Sequence, residues 1–243
     1  MGRKFNPVAV RSRGFTLLEL LISMAILLVL AGAVFEQINQ MQKKSGAESM
    51  KVDMTQSARD FVDQTVRDLH MSGYPSQSMF SNPQDPSRVA QGLVSVSPTQ
   101  IEFEGDVNND GLVYSVNIQY LASDPNNLNN PNCPCIRRSA APKQALFDSL
   151  HQPPNGTFTE TPHVLPPGAG NGQSGEDLFA YYDQNGNAVA VGTGVDISTP
   201  SGAATIAQIK AIKINLSLIT PAVDPVTNTF TRTSMSASAR LNQ

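Results

Sequence analysis

From Phe15 to Phe35 the chain runs apolar for a membrane's width, broken only by Thr16, Glu19 and Ser23. At about 1.5 Å rise per residue a helix of that length crosses a hydrocarbon core of roughly 30 Å. Arg3, Lys4, Arg11 and Arg13 precede it with no acid among them. This bias keeps the short N-terminal segment cytoplasmic and sends the long remainder across the membrane. Glu19 is the anomaly, since a carboxylate at that depth costs about 3 kcal/mol and marks a functional position that needs a partner.

The motif Gly14-Phe15-Thr16-Leu17-Leu18-Glu19-Leu20, after Arg13 and ahead of the apolar stretch, resembles the class III signal of type IV prepilins and type II secretion pseudopilins. The resemblance implies that a prepilin peptidase cuts after Gly14 and, as an N-methyltransferase, methylates the new amine of Phe15. Glu19 then becomes the fifth mature residue, and its implied partner is the N-terminal amine of a neighbouring subunit. Two opposite charges in low dielectric are tolerated when paired, which agrees with that role. The implied partners are the peptidase, other pilins or pseudopilins, an inner-membrane assembly platform and membrane lipid. The implied location is the inner membrane, single-pass with the head outside, and then a pilus or pseudopilus.

A secretory signal peptide is the competing reading, because Ala31-Gly32-Ala33 is an acceptable small-x-small cleavage site after a basic and apolar lead. It leaves Glu19 unexplained, and the helical pattern continues past that cut through Val34, Ile38 and Met41.

The 243 residues suffice for one anchored head with a real core. Loss of residues 1–14 would remove four basic groups and move the formal charge from −3 to −7, so the totals imply no nucleic-acid surface. The expected division is a cleaved leader over 1–14, a transmembrane and assembly helix over 15–35, its amphipathic continuation over 36–72 and a β-rich head over 73–243. In the continuation, Met54, Ala58, Phe61, Val62, Val66 and Leu69 recur at helical spacing, while Arg59, Asp63 and Arg67 form a charged face. Gly46 is a candidate loosening point, and Gly73-Tyr74-Pro75 should end the helix.

Beyond Pro75 the pattern changes to strands. Ile101 and Phe103 alternate with polar residues, and Leu112, Tyr114, Val116, Ile118 and Tyr120 recur at period two on one face. Leu178–Tyr182 and Ala188–Val191 flank Asn185-Gly186, a strong hairpin signal. Ile212, Ile214, Leu216 and Leu218 alternate again, and Phe230–Leu241 is a last strand. Residues 73–88, 122–143, 151–177 and 198–204 read as loops. The expected fold class is α+β, one long helix packed on an antiparallel sheet. By the resemblance it is pilin-like, with a long helix whose second half is the spine of the head. Many major pilins carry a helix-kinking proline at the position that is Glu36 here. The order of signal, helix, hairpins and final strand pair is similar to PilW-like minor pilins and the J-type minor pseudopilin, which implies a minor subunit.

Asp106-Val107-Asn108-Asn109-Asp110-Gly111 has the D-x-N-x-D-G opening of a calcium loop, but Asn117 stands where the closing Glu belongs. Two readings stand: a β-turn, or a Ca2+ site of another kind held by Asp106, Asn108 and Asp110. Cys133 and Cys135 read as a local disulfide, as free thiols or as a link to another subunit, and they lack a structural-zinc pattern. Glu102 and Glu104 share a strand face and are expected to be solvated. His70, His151 and His163 are scattered, and no nucleophile elbow or phosphate loop is present. The chain is therefore read as a structural filament subunit rather than an enzyme. The alternative is a membrane-tethered or secreted binding protein.

Overall fold

The structure is a computed structural model and describes residues 16–81, 85–124, 129–143, 157–165, 177–225 and 227–241. The chain divides into two compact units, Met1–Ala47 and Glu48–Gln243. Helix α1, Leu17–His70, belongs partly to each and is helical through Gly46.

From Leu17 to Phe35 the helix is apolar on every side and its large side chains are exposed, from Ile22 at 52% to Leu17 at 79%. In the second unit α1 has one buried stripe of Ala58, Phe61, Val62 and Leu69, while Arg59, Asp63 and Arg67 face outward. The helix ends at His70, three residues ahead of Gly73, and backbone bonds from Met71 and Ser72 to the last turn close it.

Among the described residues the head has nine strands in two antiparallel sheets. The larger contains β1 (Leu93–Val96), β2 (Gln100–Gly105), β3 (Tyr114–Leu121), β4 (Cys135–Pro142), β5 (Thr157–Thr161) and β7 (Val195–Asp196), in the order β5-β4-β3-β2-β1-β7. The smaller contains β6 (Phe179–Tyr182), β8 (Ala211–Ile219) and β9 (Arg232–Arg240), in the order β6-β8-β9. A single core cluster gathers Phe103 and Ile118 from the larger sheet, Ile214 and Leu216 from the smaller, and Phe61 and Leu69 from α1. The two sheets are tied by the Tyr181 hydroxyl, which donates to the Ser97 carbonyl at 2.7 Å, and by the bridge Val164↔Leu218.

The α+β expectation holds, with two sheets in place of one. The two alternating runs form the β2–β3 hairpin, which pairs Ile101 with Ile118 and Phe103 with Val116. Leu112 is half exposed and lies ahead of β3. Asn185-Gly186 forms a tight turn, closed by Asp183 N–H donating to the Asn187 carbonyl at 2.9 Å. Its return arm lies along the edge of β6 away from β8, through the bridge Tyr182↔Ala188 and the bond from Val189 N–H to the Tyr181 carbonyl at 2.8 Å.

Three segments expected as loops hold regular structure. The 122–143 segment contains β4, and 151–177 contains β5. Residues 198–204 open helix α2, Pro200–Gln208, where Thr199 caps the N-terminus by accepting from Gly202 N–H and Pro200 begins the first turn. Gly105 has a steric reason: a Cβ there would run into the Met71 carbonyl, so only glycine lets the end of α1 reach β2 at the bridge Ser72↔Gly105.

Candidate functional site

The candidate site begins at the start of α1. Thr16 precedes the helix, and its Oγ1 accepts from Glu19 N–H at 3.3 Å, while the Glu19 carboxylate accepts from Thr16 N–H and from its hydroxyl at 3.1 Å. This reciprocal pairing is a capping box: side chains satisfy amide donors that the first helical turn leaves free, and an anion sits at the positive end of the helix dipole. The T-x-x-E spacing ahead of an apolar run is the local sequence signal of this box, and it gives Thr16 a role that the prepilin motif does not. Glu19 is exposed, and so is every large apolar side chain from Leu17 to Phe35. The arrangement is a fixed carboxylate at the top of an unpartnered apolar helix, able to accept a cation from another molecule. Gly14 and Phe15 lie outside the described residues.

The Asp106 turn is built from within. Asp106 is buried and accepts from Asp110 N–H at 3.0 Å and Gly111 N–H at 2.9 Å. Asp110 accepts from the Tyr114 hydroxyl at 2.7 Å and from Leu112 N–H at 2.9 Å, and these bonds hold its carboxyl below the usual range. Asn109 and Gly111 take the left-handed backbone that such a turn demands. Asn108 is exposed. Among the described residues no group of three or more His, Cys, Asp or Glu side chains is placed to hold a metal. The sulfurs of Cys133 and Cys135 are bonded to one another, just ahead of and at the first residue of β4.

Glu102 and Glu104 are a correction: both are buried, on the face of β2 opposite Ile101 and Phe103. Glu104 takes the Lys143 ammonium at 2.6 Å and Gln91 N–H at 2.9 Å, and Glu102 accepts from the Ser115 hydroxyl at 3.4 Å. The expectation failed because alternation identifies the two faces of a strand without showing whether both are covered.

Two consecutive arginines on β4 organise the rest of the buried charge. Arg138 reaches Asp68 of α1 at 2.5 Å, across 70 residues of sequence. Arg137, on the other face, joins Asp124 at 2.7 Å and Glu160 at 2.5 Å and lies over the Phe158 ring at 4.6 Å. Asp68 and Glu160 shift in opposite directions. Burial pushes Asp68 up by more than Arg138 pulls it down. Burial also pushes Glu160 up, but its bonds from Arg137, Asn130 and Asn132 outweigh this and hold it low. His70 is exposed at the helix terminus, His163 is part-buried beside β8, and His151 lies outside the described residues.

Residues 10–35 match the family model described as the prokaryotic N-terminal methylation motif. No curated protein matches the chain. The matched segment contains Gly14, Phe15, Thr16 and Glu19, and it supports a type IV pilin-like or pseudopilin precursor, a structural rather than enzymatic class of protein. Processing by a prepilin peptidase and assembly with other pilins follow from the motif. One helix among the described residues is long and apolar enough to cross a membrane, and with the motif it fits a single-pass membrane-anchored protein.

Proposed function

We propose that this chain is a minor subunit of a type IV pilus or a type II secretion pseudopilus. It is made as a precursor, cut after Gly14 and methylated on Phe15. The observation that carries this reading is the methylation motif over residues 10–35 with Glu19 in place. Before assembly, the bilayer solvates the exposed apolar helix, and the head stands on the far side from the basic leader. On assembly, helices of neighbouring subunits replace lipid around Leu17–Phe35. The Glu19 carboxylate then exchanges its own-chain capping bonds for the methylated amine of a neighbour. An ion pair in that environment repays its desolvation only when its geometry is good, so it also selects register along the bundle.

The minor role is supported by Glu36 at the position where many major pilins place proline and by a head with two sheets and long connections. The order of hairpins is similar to PilW-like minor pilins and the J-type minor pseudopilin, for which initiation or the filament tip is the natural place. A loop-rich head at a tip need not fit a repeating lattice.

The deciding experiment is N-terminal sequencing and intact mass of the native protein extracted from membranes. The expected result is a start at Phe15 carrying one added methyl group. A start at Val34 would mean cleavage by signal peptidase, remove Glu19 from the mature chain and overturn the proposal.

A further inference from the structure

Among the described residues, three of the four sheet edges in the head are blunted in the ways that native sheets use against unwanted pairing. Strand β7 has 2 residues, β6 has 4 and is partly covered by the return arm of its turn, and β5 has 5. The fourth edge differs. Strand β9 has 9 residues, no proline and no bulge, and it pairs with β8 in one unbroken register from Arg232↔Ile219 to Arg240↔Ala211.

The direction of its backbone groups follows from that register. Thr220 N–H donates to the Thr231 carbonyl at 2.9 Å, and Leu241 N–H donates to the Lys210 carbonyl at 3.0 Å. In an antiparallel pair, residues that bond to the partner alternate with residues that point away. Thr231, Thr233, Met235, Ala237, Ala239 and Leu241 therefore face β8. The N–H and C=O groups of Arg232, Ser234, Ser236, Ser238 and Arg240 point to the open side, where no strand lies beyond β9 among the described residues. All five of those side chains are exposed.

We infer that the free edge of β9 is a docking site for an extended strand of another protein that carries acidic side chains at its two ends. Charge selects this occupant. Arg232 and Arg240 stand at the ends of the edge, and neither β8 nor β9 contains an acid. A second copy of the chain is disfavoured: antiparallel pairing of β9 with itself over its full length centres on Ser236 and sets Arg232 of each strand against Arg240 of the other, and directly opposed like charges destabilise a strand pair. Main-chain bonds would supply affinity and the terminal charges register, as in other strand-addition complexes. This inference is independent of the filament reading, since it concerns the head alone.

The test uses the full chain in detergent micelles and two synthetic peptides, Glu-Thr-Val-Thr-Val-Thr-Val-Thr-Glu and the same sequence with Lys at both ends. The Glu-ended peptide should bind and slow amide hydrogen exchange at Ser234, Ser236 and Ser238. The Lys-ended peptide should bind about tenfold more weakly, from two exposed charge pairs turned into repulsions. Ser236→Pro should abolish binding with an unchanged melting temperature, because that N–H is not used by β8. The double variant Arg232→Glu with Arg240→Glu should reverse the peptide preference, which keeps the test valid if the proline variant fails to fold. Equal binding of both peptides, no slowing by either, or amides already slow in the free chain would overturn the inference. Slowing that depends on protein concentration without peptide would assign the edge to a second copy and overturn it equally.

Discussion

Residues 17–35 and residues 48–70 lie on one helix, yet they meet their surroundings in opposite ways. The first stretch exposes Leu, Ile and Val on all sides, and its one acid is held by Thr16. The second buries a stripe of Ala58, Phe61, Val62 and Leu69 against the core of the head and turns Arg59, Asp63 and Arg67 outward, with Asp68 held inside by Arg138. A helix that is apolar all round must find its apolar partners outside its own chain, in lipid or in other helices. An amphipathic one is satisfied by its own domain. The difference separates assembly from stability along a single element, so substitutions on the two halves should damage different properties.

The largest expected effect comes from Glu19→Leu. It should leave the melting temperature of the head and membrane insertion unchanged while removing the protein from the filament fraction, read by membrane and sheared-filament fractionation with the antibody signal compared between the two. A simple anchor would tolerate the change, and undiminished incorporation would break the proposed division of labour.

The second prediction tests the other half. Arg138→Met strands Asp68 in the core and should cost about 3–5 kcal/mol in denaturant unfolding. The loss should shrink on acidification, as Asp68 takes up a proton. The sign in the unaltered protein agrees with this. The folded-state pKa of Asp68 is raised, so its contribution is full below the ordinary carboxylate value and is lost as pH rises through the folded one. Glu160 runs the other way: its pKa is lowered, and its contribution is lost as pH falls through that depressed value.

A third comparison uses one residue type on both halves. Leu69→Ala should cost roughly 2–5 kcal/mol, the range for emptying a closed core position. Leu27→Ala, two-thirds exposed in the isolated chain, should leave the unfolding midpoint of the head in place. The smallest effect concerns α2, where Thr199→Ala removes a cap worth about 1 kcal/mol and should lower the melting temperature slightly.

Much of this was legible in the sequence. The apolar run with its acid, the 58–69 stripe, the period-two patterns of Ile101/Phe103 and of Val116/Ile118 and the alternation of β8 all rest on periodicity, which local sequence carries. What stayed hidden depended on distant partners. Cys-Ile-Arg-Arg-Ser does not read as a buried strand, because the groups that make Arg137 and Arg138 tolerable inside, Asp68, Asp124 and Glu160, lie 13 to 70 residues away. Glu104 was misplaced for the same reason, its cation being Lys143, 39 residues on. Helix α2 and the capping box at Thr16 were different. Their signals, Thr-Pro and T-x-x-E, are local, but a loop-like composition masks the first and the assembly role of Glu19 overshadows the second.

The two arginines on β4 also define a route for mechanical load. Arg138 fastens the helix to β4, and β4 is an inner strand laddered to β3 on one side and β5 on the other. Tension drawn along the helix therefore enters the sheet where two rows of hydrogen bonds share it, instead of at an edge that could peel. On the opposite side of the same strand, Arg137 anchors the next residue to Asp124 and Glu160. A subunit hauled by its helix would carry the strain through the middle of its sheet, and its weakest point under force should lie outside β4.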